Sequence, residues 1–114
     1  MKIVVKEWEG WGKRADDAVL QVALNVVDLA RQLNTPMERY IEKGMGWCNT
    51  TGFNLDSIGP VRVIQYDHIA VGGSVFHALA SLDPKEAEAA ILDALGLTDD
   101  DAVWCRSIAG NGFE

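Results

Sequence analysis

Ala15-Asp16-Asp17-Ala18-Val19-Leu20-Gln21-Val22-Ala23-Leu24-Asn25-Val26-Val27-Asp28-Leu29-Ala30-Arg31-Gln32-Leu33 sets the architecture that the rest of the chain must fit. At helical pitch, Asp17, Gln21, Asn25, Asp28 and Gln32 fall on one narrow stripe. Nearly everything else in the stretch is apolar. A surface helix of a small domain buries one stripe and exposes a wide polar face, and here the proportions are reversed. The spacing predicts a helix from Lys13 or Arg14 to Leu33. It is either the central helix of the fold or a helix whose second apolar face meets another chain.

The flanks supply the other elements. Ile3 and Val5 alternate with Lys2, Val4 and Lys6, which predicts a strand over 2–8, broken by Gly10 and Gly12. Asn34 ends the helix. Thr35, Pro36 and Glu38 have the spacing of an N-cap, a first-turn proline and a capping box, which predicts a second helix stopped at Gly44. Residues 44–60 show no period and read as a long loop, packed by Trp47, Phe53, Leu55 and Ile58. Val61–Tyr66 reads as a strand. Ile69-Ala70-Val71 either returns as a second strand or continues a bulged one.

Ser74–Leu82 reads as a helix with Val75, Leu79 and Leu82 inward. Asp83-Pro84-Lys85-Glu86 is the clearest helix start in the chain, with Gly96 as its stop. Val103–Ile108 has strand residue types, although Thr98 followed by three aspartates also fits a helix start. The expected class is α+β in one domain, 1–114, ordered roughly β-α-α-β-β-α-α-β around the helix 15–33. The alternative is an α-rich fold with a helical tail.

At 114 residues, 48% hydrophobic and 24% charged, the composition is that of a globular chain with one core. No stretch is apolar enough to span a bilayer, and Met1–Trp8 lacks an apolar signal core, so a cytoplasmic protein is expected. The two cysteines, Cys48 and Cys105, are too few for a disulfide framework and read as reduced thiols. The net charge of −7 is uneven: residues 83–114 hold eight acids against two bases. Glu86, Asp93, Asp99, Asp100 and Asp101 are the candidates for an acidic face, which repels nucleic acid and attracts basic surfaces. The same acids also serve solubility and helix starts.

The residues offer the types for three chemistries. A thiol nucleophile needs a base and a group to orient it, and Cys48 with His68 and Asp67 supplies the types; no local signature surrounds them. Adding His77 and Cys105 gives a metal-ligand set by type, but no pair has metal-site spacing, so neither a metal nor a cofactor is expected. Trp8, Gly10, Trp11, Gly12, Lys13 and Arg14 lead into the expected helix N-terminus. Glycine amides, two cations and two indoles there suit a phosphorylated, nucleotide-like ligand.

The function expected from these features is non-enzymatic: a homo-oligomer that occupies or sequesters a partner. In its concrete form it is a phage or mobile-element inhibitor whose acidic face blocks a basic, nucleic-acid-binding protein, with no direct contact to nucleic acid or membrane. The alternatives are a binder of a small phosphorylated ligand, and a Cys-His enzyme.

Overall fold

The computed structural model describes residues 8–68 and 73–109. In chain order these form β1 (Asp16–Val22), α1 (Val26–Leu33), β2 (Glu38–Glu42), β3 (Gly46–Leu55), β4 (Gly59–Tyr66), β5 (Ser74–Leu79) and α2 (Pro84–Leu95). A 3-10 turn (Asp99–Asp101), β6 (Ala102–Cys105) and a short α3 (Arg106–Ala109) follow. The fold is α+β. All six described strands join one antiparallel sheet in the order β2-β3-β4-β5-β1-β6.

The expected central helix 15–33 is two elements. Asp16–Val22 is a strand with a neighbour on each side, β5 and β6. A strand buried on both faces is apolar without alternation, and over a few residues that cannot be told from a buried helix by period. Val19, Leu20, Gln21 and Val22 are all buried. The apolar surplus that pointed to a second chain is therefore used inside the molecule.

The helix begins only at Val26. Asn25 is extended (φ −93°, ψ 126°), and its side-chain oxygen accepts from the Val27 and Asp28 amides at 2.8 and 3.2 Å. Asn34, left-handed at φ 57°, closes the helix where the sequence placed its end. Asn25→Ala removes both capping bonds at an exposed site. It is expected to lower the unfolding free energy by about 1 kcal/mol, read as a shift of the urea midpoint at constant slope. An unchanged midpoint would show that the cap is redundant.

Three further expectations change for local reasons. Thr35 does not cap a helix at 35–44. Its hydroxyl meets the Thr51 hydroxyl at 2.6 Å, and Thr51 donates to the Pro36 carbonyl at 2.8 Å, which docks the segment on β3 and sends 38–42 into the sheet. The expected loop 44–60 is the turn into β3, β3 itself and the turn into β4, because Gly44, Gly46 and Gly59 punctuate hairpins. Ser74–Leu79 is a strand, not a helix. Val75 and Phe76 are consecutive yet both buried, which a central strand permits on its two faces. The helix start at Asp83 and its stop at Gly96 stand as read. The tail is strand over 102–105 and helix over 106–109, so the strand reading holds for its first half. The expected strand 2–8, apart from Trp8, and Ile69–Val71 lie outside the described residues.

Paired residues in adjacent strands share a face. Thr51, Val63, Phe76, Leu20 and Cys105 make one row across β3, β4, β5, β1 and β6. Phe53, Val61 and Ala78 make the next. On this side Val26 and Leu29 of α1 and Ala87, Ile91, Leu92 and Leu95 of α2 close the main core. The opposite side carries alternating rows. Glu38, Thr50, Ile64, Val75, Gln21 and Trp104 run across all six strands, with Gly52, Arg62, His77 and Ala18 beside them.

Candidate functional site

The side away from the helices holds a cleft of ≈ 130 Å³ where those two rows meet. Trp8, Glu38, Thr50, Gly52 and Arg62 line it, with Pro36 and Thr51 at its border. Gly52 explains how Trp8 reaches it. A Cβ at position 52 would lie 2.7 Å from Cγ and Cδ2 of Trp8 and 2.9 Å from Cδ1. Glycine inside a strand weakens it by about 0.5–1 kcal/mol relative to alanine, and it recurs where another group approaches the backbone closely. Here that group is an indole laid on the sheet.

Trp11 meets Trp8 edge to face, with centroids 6.0 Å apart and planes at 87°. The indole N–H groups of Trp8 and Trp11 are buried and have no hydrogen-bond partner among the described residues. A buried unpaired donor costs about 1–3 kcal/mol, so both are acceptor-seeking groups.

Among the described residues three arginines stand over tryptophans, and two of them have a further partner there. Arg39, 5.1 Å from the Trp47 centroid, forks onto Asp67 at 2.7 and 3.1 Å. Arg106, 5.8 Å from the Trp104 centroid, donates to the Ala18 carbonyl at 2.6 Å. Arg62 lies 5.6 Å from the Trp8 centroid and, among the described residues, has neither a hydrogen bond nor a carboxylate at ion-pair distance. It is half-buried at the cleft. The nearby Asp16 does not pair with it. Asp16 takes His77 Nδ1 at 3.1 Å instead.

The remaining polar groups of the cleft are acceptors. Glu38 is exposed at its mouth. The Thr50 hydroxyl donates to the Val63 carbonyl at 2.9 Å, which leaves its lone pairs, while Thr51 is engaged by Pro36 and Thr35. The cleft thus combines an aromatic wall with a guanidinium donor and a carboxylate acceptor that have no partner among the described residues.

The hydrogen bond from His77 holds the Asp16 carboxyl below its ordinary value. Burial opposes this, and the charges of His77 and Arg62 reinforce it. A depressed carboxylate contributes stability that is present above its unfolded value and is lost as pH falls through the folded one. Asp16→Asn is therefore expected to destabilise by under about 1 kcal/mol near neutrality, the pair being partly solvated. The gap should close on acidification through the carboxylate range. A gap independent of pH, in urea titrations of both proteins, would contradict the linkage.

The sequence-predicted residues separate. Gly10 packs under the indole of Trp8, and the Arg14 Nε donates to the Trp11 carbonyl at 2.9 Å. Gly12 and Lys13 are exposed. Because Asp16 opens a strand, no helix N-terminus follows this segment, and the anion cradle expected there loses its dipole. Trp8 alone of this segment lines the cleft, with Trp11 packed against it.

Cys48 and His68 are not joined. The Cys48 thiol is fully buried, donates to the Tyr40 carbonyl at 3.6 Å and is pushed up chiefly by burial, the opposite of an activated thiolate. Burial likewise pushes its neighbour Tyr40 up to about 12. His68 is exposed beside Tyr66, and Asp67, expected to orient it, is held by Arg39, which keeps its carboxyl below the usual range. Among the described residues no group of His, Cys, Asp and Glu is placed to hold a metal.

Glu86 and Asp93 are exposed seven positions apart on α2, which puts them on one face two turns apart. Asp99, Asp100 and Asp101 are exposed in the turn beyond it. Glu88, another of the eight acids of residues 83–114, is buried, and it accepts from the Ser107 amide at 2.8 Å and the Ser107 hydroxyl at 2.5 Å.

Sequence reading missed Glu38, Thr50, Gly52 and Arg62. A signal existed for Arg62, the polar member of the alternating run Val61-Arg62-Val63 in a segment read as a strand. For Gly52 the signal was a lone glycine between strand-type residues. No family model matches the chain, and neither a characterised protein nor a solved structure shows detectable similarity to it. Among the described residues no helix is long and apolar enough to cross a membrane.

Proposed function

We propose that this protein is a non-enzymatic binding module that holds a small planar ligand in the Trp8–Arg62 cleft. One observation carries the reading: a half-buried guanidinium without a polar partner among the described residues stands beside an indole that a mid-strand glycine lets down onto the sheet. Ligand sites combine apolar, aromatic walls with a few placed polar groups, and this cleft has that composition. Its size suits one ring system, since an engineered cavity of about 150 Å³ accepts benzene. The two buried thiols, Cys48 and Cys105, fit a reducing compartment, and we place the protein in the cytoplasm.

The test is tryptophan emission titrated with nucleosides, aromatic carboxylates and amino acids. At least one class should quench saturably. Arg62→Ala should weaken that ligand about 10- to 100-fold, the equivalent of one charge-assisted hydrogen bond. Absence of saturable quenching by every class would overturn the reading.

A second reading, sequestration of a basic partner, is favoured by the acidic run of Glu86, Asp93 and Asp99–Asp101. Such a face speeds association with a positive surface and is weakened by salt. Reversing Asp93 and Asp100 to lysine should then slow capture of that partner, and an unchanged rate would end the idea. Self-association, expected from an apolar helix over 15–33, has lost that support, because β1 buries the residues concerned. Sedimentation of the purified chain decides it directly.

A further inference from the structure

Resting on the ligand-binding reading, the geometry points to a specific occupant of the cleft: the guanine base of a nucleoside or mononucleotide. Arg62 offers only donors, and it is held in the sheet row between Gly52 and His77. Glu38 offers only acceptors, from the neighbouring row and across the same cleft, beside the Thr50 lone pairs. Their ligand must therefore carry acceptors on one edge and donors on another, on a flat body that lies against the Trp8 wall. Guanine does so. Its O6 and N7 are the paired acceptors that arginine takes bidentately, while N1–H and the exocyclic amine are donors suited to a carboxylate. Adenine puts a donor beside N7, where a guanidinium needs an acceptor. An aromatic carboxylate satisfies Arg62 but brings a second negative charge to Glu38.

The charge of the chain separates the two sources of such a base. At −7, the protein repels a polyanionic strand, whose binding depends on neutralising phosphates with lysine and arginine. A free nucleoside or mononucleotide carries little or no such penalty. Base–indole stacking is tolerant of which base is present, so the choice of guanine rests on Arg62 and Glu38.

Calorimetric titration of the full chain tests this with guanosine, GMP, AMP, inorganic phosphate and a guanosine tetranucleotide. Guanosine and GMP should give saturable isotherms. AMP should bind at least tenfold more weakly, the discrimination of one bidentate pair. Phosphate alone should give no heat, and the tetranucleotide should bind more weakly than GMP. Glu38→Gln, at an exposed position that leaves the fold intact, should weaken GMP about tenfold and leave AMP unchanged.

Equal affinity for GMP and AMP, or a Glu38→Gln variant that binds GMP like the parent, overturns the assignment of guanine. Tighter binding of the tetranucleotide makes the site one for strands and overturns the mononucleotide assignment. If no nucleotide binds while an aromatic carboxylate quenches Trp8, the nucleobase falls and the cleft remains a ligand site. If nothing binds, both fall.

Discussion

Gly52→Val should lift Trp8 off the sheet and abolish ligand binding. The added Cβ alone comes within 2.7 Å of Trp8 Cγ, an atom near the root of its side chain, so no rotation of a flexible tip relieves the contact. Trp8 must turn about its Cα–Cβ bond to another rotamer, or the backbone at Trp8 or in β3 must move. Overpacking of this kind costs about 1–3 kcal/mol, and the better strand propensity of valine offsets only part of it. The cleft loses its aromatic wall, and Arg62 loses the ring it stands over. Tryptophan emission should shift to the red, the near-ultraviolet dichroism of the Trp8–Trp11 pair should fall, and the affinity for any cleft ligand should be lost. A Gly52→Val protein with unchanged spectra and unchanged affinity would show that Trp8 does not build a site.

The largest expected loss of stability lies at Gly73, at the corner where β5 passes the end of β1. Its φ of +80° already disfavours any other residue. A Cβ there would run into the Val22 carbonyl oxygen and come 2.7 Å from the Ala23 Cα, and backbone on both sides cannot yield as a side chain can. Next in sequence, the Ser74 hydroxyl donates to the Leu24 carbonyl at 2.9 Å and pins the same corner. Backbone strain of about 1–3 kcal/mol adds to overpacking of similar size, out of a total stability on the order of 5–15 kcal/mol. Gly73→Ala should lower Tm by about 10 °C or more. A Tm within about 2 °C of the parent would mean that the corner tolerates displacement.

Helix ends with local chemistry were legible in the sequence. Asn34 and the Asp83–Gly96 pair of signals stand because caps act within a few residues. The α+β class and the strands at 61–66 and in the tail were legible from residue type. The central strands were not. β1 and β5 bury consecutive residues, Val19–Val22 and Ser74–Phe76, so the alternation that marks a strand is filled in by a second buried face, and the run reads as helix.

The site shows the same division. Trp8 and Trp11 stood out as tryptophans among glycines. Glu38 and Arg62 are ordinary polar residues until β2, β3 and β4 bring them to one cleft. That placement depends on register, which no local pattern encodes. The Cys48 and His68 candidates failed for the converse reason. They are close along the folded hairpin, but Cys48 is buried on its own carbonyl partner and His68 is exposed.

Trp8 lines the proposed ligand site and Trp11 packs on Trp8, while the other two of the four tryptophans lie elsewhere. Indole N–H resonances of 15N-labelled protein report all four at once during titration with GMP. The Trp8 and Trp11 signals should move together and saturate, because Trp8 lines the cleft and Trp11 packs on it edge to face. Those of Trp47 and Trp104 should stay in place as internal controls. Four unmoved signals, or movement confined to Trp47 or Trp104, would contradict the claim.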